Sequence, residues 1–290
     1  MRPASFDYVR PASVAEACEA LTAGGTVLAG GQSLVPLLKL RIVRPKRIID
    51  LNRIDELAGI TTNEAEELFI GAMTRHQDIA DHPLVQSRVP LLACAARRLG
   101  DIQVRARGTI GGNICFADPR ANLATALVAL DAVAVLVHTG GVRDCPVADM
   151  FTGFRQSSRR ADELLIRLRI RHTPEHAQGV YLELAPQLNG TPIVNVAVVP
   201  GAAGREPRIA VGGLFDIPWR AVTIEELART GRATEHRIRQ AIDEFQTDCL
   251  RFEDLRGDAA YRARIASVLI AQALDRCATG RSPEAPAQEE

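Results

Sequence analysis

The sequence predicts an α+β protein of two domains, on three observations. Strand and helix signals alternate through residues 1–173. Two glycine-bearing segments interrupt them, Leu28-Ala29-Gly30-Gly31-Gln32-Ser33-Leu34 and Gln103-Val104-Arg105-Ala106-Arg107-Gly108-Thr109-Ile110-Gly111-Gly112-Asn113. After a linker-like stretch, a strand pair is followed by helices alone. A length of 290 residues suits about two domains, each with room for its own core.

Ser13 can cap a first helix whose apolar positions Val14, Ala17 and Leu21 recur at helical spacing, and Gly24-Gly25 stops it. The short strand Thr26-Val27-Leu28 runs into the first glycine segment. Ser33 is the expected N-cap of a second helix, with Pro36 in its first turn, where a missing N–H costs little. Arg47-Ile48-Ile49-Asp50-Leu51 is the next strand, so residues 1–55 read as a βαβ-like lobe. A second lobe, 56–173, opens with the strand Leu68-Phe69-Ile70-Gly71-Ala72. An Ala-rich helix over 90–99, the second glycine segment and a helix over 122–130 follow. Strands are expected over 132–138, 142–146 and 163–170, the last alternating Leu164, Ile166, Leu168 and Ile170 against Arg167 and Arg169. Thr173-Pro174-Glu175-His176-Ala177-Gln178-Gly179 has linker composition and marks the domain boundary. The second domain, 174–279, carries paired strands over 193–199 and 208–214 around the turn Pro200-Gly201-Ala202-Ala203-Gly204, then helices over 223–230, 234–246 and 258–278. The Pro/Ala/Glu-rich stretch 280–290 has the composition of a disordered tail.

Lys plus Arg equals Asp plus Glu, so nothing in the charge recommends nucleic acid or an anionic membrane as partner. Six cysteines are scattered without a close pair, which argues against an iron–sulfur cluster or structural zinc in this chain and for free thiols. No charged-then-apolar leader and no run long enough to span a membrane is visible, so the expectation is a cytoplasmic protein. His172 and His176 stand at i, i+4, but Pro174 lies between them, so no metal is expected.

A strand that ends in glycines and opens a helix offers unpaired N–H groups to an anion, although the bare pattern equally describes a tight strand-to-helix turn. The second segment offers a hydroxyl at Thr109, two unobstructed amides at Gly111 and Gly112, and a carboxamide at Asn113. Together the two segments suit a dinucleotide pyrophosphate.

The chain resembles the FAD-binding medium subunits of the molybdenum hydroxylases. The resemblance is carried by Phe6-Asp7-Tyr8-Val9-Arg10-Pro11-Ala12-Ser13, Ala29 to Leu34, Ile70-Gly71-Ala72-Met73-Thr74, Gln103 to Asn113, Ala117-Asp118-Pro119, Glu163-Leu164-Leu165, and Tyr261-Arg262 with Leu269. It implies a vanillyl-alcohol-oxidase/PCMH-type fold, with a two-lobed FAD domain followed by a domain of a three-stranded antiparallel sheet plus helices. It also implies FAD as cofactor. By position, Leu28, Ala29, Gly30, Gly31, Gln32, Ser33 and Leu34 would wrap the pyrophosphate. Thr109, Gly111, Gly112 and Asn113 would hold phosphates and the ribityl chain, Asn122 a ribose or ribityl hydroxyl, and Leu165 the flavin or adenine rim. Implied partners are a large molybdenum-cofactor subunit and a small 2Fe-2S subunit, with NAD, oxygen or a quinone as electron acceptor.

The chain departs from the family in two places. Residue 122 is Asn, where Asp or Glu is usual. In Glu183 to Val194, Pro186-Gln187 stands where basic residues are common, and Thr191 where an aromatic is. The second departure leaves an alternative open: a stand-alone flavin-dependent biosynthetic enzyme, an oxidase or a non-redox cyclase, with a pocket recruited around Pro186 to Thr191. No catalytic acid or base is assigned under either reading.

Overall fold

The computed structural model describes residues 2–186, 190–202, 206–245 and 249–280. The first lobe comprises β1 (Asp7–Val9), α1 (Val14–Thr22), β2 (Thr26–Leu28), α2 (Leu34–Lys39) and β3 (Arg47–Asp50), its strands parallel in the order β1-β3-β2. Ser13 caps α1 as expected, its Oγ accepting from Glu16 N–H at 3.2 Å, and Gly24 turns the chain out at φ 85°. Ala17, Cys18 and Leu21 of α1 pack on Ile49 and Leu51, and the same cluster takes in Met73 and Leu164 of the second lobe. The two lobes therefore share one apolar seam.

The second lobe begins with β4 (Ile60–Thr62) and β5 (Leu68–Gly71). Five short helices follow: α3 (His76–Asp81), α4 (Pro83–Arg88), α5 (Pro90–Arg97), α6 (Ile102–Arg107) and α7 (Ile110–Phe116). Then come α8 (Asn122–Ala129), β6 (Val133–His138), β7 (Gly141–Pro146), the small pair β8 (Phe151–Gly153) and β9 (Gln156–Ser157), and β10 (Leu164–Ile170). The sheet is antiparallel in the order β4-β5-β10-β6-β7, so the strand latest in sequence lies at its centre, between β5 and β6. The expected alternation holds from Arg167 to Ile170, with Leu168 and Ile170 buried and the Arg167 guanidinium over the Phe69 ring. A register shift between Leu165 and Arg167 buries Leu165 beside Leu164 and leaves Ile166 half-buried. Of the five short helices, only α5 is evident in the sequence. The others have six or seven residues, too few turns for a 3.6-residue period to register.

The linker forms a short 3₁₀ turn, Pro174–Gln178. Beyond it, β11 (Val180–Leu184), β12 (Val194–Val199), β13 (Arg208–Gly212) and β14 (Trp219–Arg220) pair antiparallel in that order, followed by α9 (Val222–Arg229), α10 (Glu235–Glu244) and α11 (Ala259–Thr279). The sheet has one strand more than the three expected. Trp219-Arg220 runs beside Ala210 and Val211, held there by the indole packing on Phe215 and Phe245. Every residue of β12 is buried. Val194, Val196 and Val198 join the core under the helices, whereas Ala197 and Val199 join the second lobe's core with α5 and α8. β12 thus lies between the C-terminal helices and the second lobe, contributing to both cores. Gly280, at φ 65°, closes α11 rather than opening the tail. Ala203 and Gly204 of the expected turn, and residues 281–290 of the expected tail, lie outside the described residues. No helix among the described residues is long and apolar enough to cross a membrane.

Candidate functional site

A cavity of about 380 Å³ runs along the seam between the lobes. All the expected site residues line it except Leu28 and Asn122. The first glycine segment forms one wall, the start of α7 another. Met73, Leu99, Val104, Phe116 and Leu164 add apolar surface, while His76, Cys115, Arg159 and Glu163 add polar groups.

The first segment behaves as its composition suggests, but by a different device at Ser33. That residue has φ −99° and ψ −45°, and its hydroxyl caps nothing. The turn into α2 is made instead by Gly31 at φ 75°, whose carbonyl accepts from Val35 N–H at 3.0 Å. Among the described residues, no intramolecular hydrogen bond uses the N–H groups of Gly30, Gly31, Gln32 or Ser33. Four consecutive donors at the cavity wall are an anion cradle.

The second segment departs from its reading as an open loop with free amides. It is the start of α7, stitched to the chain leaving β5. Ile110 N–H donates to Thr74 O at 3.1 Å and Gly111 N–H to Ala72 O at 2.8 Å. Gly112 N–H donates to the capping Thr109 Oγ1 at 3.2 Å, and Asn113 N–H to Thr109 O at 3.0 Å. Gly111 is required for that approach, since a Cβ there would sit 2.7 Å from Ala72 Cβ and 2.8 Å from its carbonyl. This segment offers the cavity side chains instead: the Thr109 hydroxyl and Asn113, whose Oδ1 is buried without a partner.

Glu163 escaped the sequence reading of the site; a lone carboxylate at the head of a buried strand is the signal that points to it. It is fully buried, accepts from Arg143 Nε at 2.9 Å and Nη2 at 2.7 Å, and takes Arg160 N–H at 2.8 Å. The hydrogen bonds from Arg143 hold its carboxyl below the ordinary range. Arg159, also on the wall, donates to the carbonyls of Arg160 and Glu163.

His76 escaped it too. It begins α3, is 3% exposed, and its Nδ1 is buried without a partner. Burial, aided by Arg75, pushes its pKa down to about 4. The folded imidazole is therefore neutral, while an unfolded one takes a proton below about pH 6.5. Its stabilising contribution is complete above that pH and declines as pH falls toward 4, by about 3 kcal/mol in all. A His76→Phe chain is expected to lose less stability than the wild type between pH 7 and pH 4.5, measured by urea unfolding at each pH. Parallel losses would remove His76 as a source.

Asn122 lies away from the cavity. It is buried, and its Nδ2 donates to Glu183 Oε2 at 2.8 Å, where Tyr181 OH also donates at 2.9 Å. Burial raises the Glu183 pKa, and Arg98 is 3.9 Å away. An acidic residue at 122 would set a second carboxylate against Glu183; the amide donates instead, tying α8 to β11. Leu28 sits behind the first segment, its carbonyl accepting from Leu51 N–H. Of the departing segment, Gln187, Leu188 and Asn189 lie outside the described residues. Pro186, Gly190 and Thr191 do not line the cavity. His176 is buried with both ring nitrogens unpartnered, and no group of described His, Cys, Asp and Glu residues is placed to hold a metal.

Four free N–H donors, a buried acceptor without a partner and apolar walls together fit a dinucleotide carrying a flat ring system. Residues 4–172 match the family described as FAD binding domain in molybdopterin dehydrogenase, and residues 183–277 the CO dehydrogenase flavoprotein C-terminal domain. The chain is 35% identical over 291 residues to the carbon monoxide dehydrogenase medium chain of Hydrogenophaga pseudoflava, covering 96% of this chain and 100% of that one. It is 33% identical over 283 residues to the glyceraldehyde dehydrogenase medium chain of Sulfolobus acidocaldarius, with the same coverage. Among solved structures, carbon monoxide dehydrogenase from Hydrogenophaga pseudoflava superposes with a TM-score of 0.86 at 34% identity, over 96% of this chain and 99% of that one. Quinoline 2-oxidoreductase from Pseudomonas putida 86 gives 0.86 at 26% identity, over 97% and 99%. The chain belongs to the FAD-binding medium subunits of the molybdenum hydroxylases, and FAD is its cofactor.

Proposed function

We propose that this chain is the electron-transfer subunit of a molybdenum hydroxylase. A large molybdenum-cofactor subunit oxidises the organic substrate, 2Fe-2S centres on a small subunit carry the electrons onward, and this chain delivers them to NAD, oxygen or a quinone. The observation that supports it most is the end-to-end likeness to the carbon monoxide dehydrogenase medium chain, through the C-terminal domain as well as the cofactor domain. Bound FAD supplies the redox chemistry, exchanging electrons singly or in pairs. The chain's own residues bind and orient: the amides of Gly30 to Ser33 take the pyrophosphate, Asn113 Oδ1 takes a hydroxyl or amine donor, and Met73, Leu164 and Leu165 keep water from the rings. Six scattered cysteines leave the clusters to another chain and suit a reducing cytoplasm.

Co-expression with the products of adjacent genes tests this. The expected result is a complex in which this chain carries FAD while molybdenum and iron are found on a larger and a smaller partner. Alone, the chain should retain FAD without turning over an organic substrate. A single flavin-bearing chain that oxidises or cyclises such a substrate without metal-bearing partners would overturn the proposal.

A further inference from the structure

The two glycine segments belong to different lobes, yet Gly30 rests on the Arg107 carbonyl too closely for any side chain. Behind that contact, away from the cavity, lies Asn52. Its Nδ2 donates to Ala29 O at 3.0 Å and to Asp50 Oδ1 at 2.6 Å. Its Oδ1 accepts from Arg75 Nη2 at 2.8 Å. The other terminal nitrogen of Arg75, Nη1, donates to Arg107 O at 2.6 Å. Asp50 is itself buried, its Oδ2 taken by the Tyr8 hydroxyl, with Arg10 3.7 Å away. Neither Asn52 nor Arg75 lines the cavity.

We propose that Asn52 and Arg75 are positioning residues that clamp the two segments at the separation FAD requires, Asn52 gripping the first at Ala29 O and Arg75 the second at Arg107 O. The proposal rests on the cavity being the FAD site. The residue types suit the task. A flipped carboxamide would turn Oδ1 onto Ala29 O and the Asp50 carboxylate, and Nδ2 onto a guanidinium, so its neighbours permit one orientation. An aspartate keeps the acceptor for Arg75 but has no donor for Ala29 O, and a leucine fills the space with neither. The guanidinium sends two divergent N–H groups to acceptors in different lobes, which the single ammonium of a lysine cannot do. In a trans peptide the N–H points opposite to the C=O, so holding Ala29 O on the side away from the cavity turns the Gly30 N–H toward it.

The test uses the full-length chain, titrated with FAD by flavin fluorescence, with visible circular dichroism of the bound flavin as a second readout. Asn52→Leu, Asn52→Asp and Arg75→Lys are each expected to weaken FAD binding roughly tenfold to a hundredfold and to change the dichroism of the flavin still bound. The Asn52→Leu/Arg75→Lys double variant should bind no more weakly than the worse single one, because either change opens the same clamp. If Asn52→Leu does not fold, Asn52→Asp and Arg75→Lys carry the same comparison. Wild-type affinity and dichroism in the folded variants would overturn the clamp, and losses that multiply in the double variant would overturn the pairing. A wild-type chain that takes up no FAD would overturn the reading of the cavity itself.

Discussion

Gly30→Ala is expected to yield a chain that purifies without flavin and melts below the wild type. A Cβ at position 30 would lie 2.2 Å from Arg107 O, 2.8 Å from Gly108 Cα and 2.9 Å from Arg107 C. All three are backbone atoms, so no rotamer change relieves the contact and the lobes must part. Overpacking of this kind costs about 1–3 kcal/mol of stability, with more where backbone must shift. The larger effect falls on the cofactor, because the same displacement moves the N–H groups of Gly30, Gly31, Gln32 and Ser33 off their common target. Bonds from such donors to phosphate are worth roughly 1.5–3 kcal/mol each, so losing two lowers affinity by at least about a hundredfold. Gly31→Ala is the contrast: its nearest neighbour is the Val35 Cγ2 methyl at 3.1 Å, and the cost is mainly that of holding φ 75°. Flavin absorbance per chain and thermal unfolding with and without FAD decide the matter. Wild-type flavin content in Gly30→Ala would mean that the contact with Arg107 does not shape the site.

Arg262→Leu is expected to lower stability by about 3–5 kcal/mol, the cost of removing one partner from a buried ionic network. Arg262 on α11 is wholly buried and donates to Ile193 O, to Gly213 O at 3.1 Å, to Gly257 O at 3.0 Å and to Asp254 Oδ1 at 2.6 Å. Asp254 also accepts from Arg120 at 3.0 Å, which is bonded to Asp118 at 3.1 Å, so the network reaches from the last helix into the cofactor domain. Burial works against the Asp254 carboxylate, but Arg256 N–H, Arg262 and Arg120 together hold its pKa below normal. A leucine of similar bulk leaves three carbonyls short of a donor and the carboxylate short of a cation. For a chain of this size the melting temperature should fall by about 10 °C. Arg262→Lys should fall between the two. A melting temperature for Arg262→Leu within a degree or so of wild type would show that water or relaxation replaces the guanidinium.

Where a feature depends on neighbours in sequence, it was legible. Ser13 and Gly24 bound α1 because capping and helix exit are local events. The alternation of Arg167 to Ile170 revealed β10 because a strand's two faces are written in consecutive residues, whereas the register shift between Leu165 and Arg167 was not visible. The short helices between His76 and Phe116 were not legible except α5, since each is stabilised by what it packs against rather than by its own period. The fourth strand at Trp219 follows from an aromatic cluster that joins Phe215 and Trp219 to Phe245, which lies beyond α9 and α10 in the chain.

At the site, the resemblance carried by motifs such as Gln103 to Asn113 was enough for the family and the cofactor, and the glycine segments, which both line the cavity, suggested where backbone could approach a ligand. Only the tertiary structure decided what each segment contributes. The amides of Gly111 and Gly112 are spent on Ala72 O and the Thr109 hydroxyl, so the run of four consecutive free N–H groups at the cavity wall lies on the first segment. Asn122 faces Glu183 rather than the cavity, and His76 and Glu163 join the wall unannounced. The physical reason is the same each time. A backbone pattern specifies which groups exist and how they are oriented locally. Whether a donor is free for a ligand depends on which distant carbonyl or hydroxyl the fold brings within 3 Å of it.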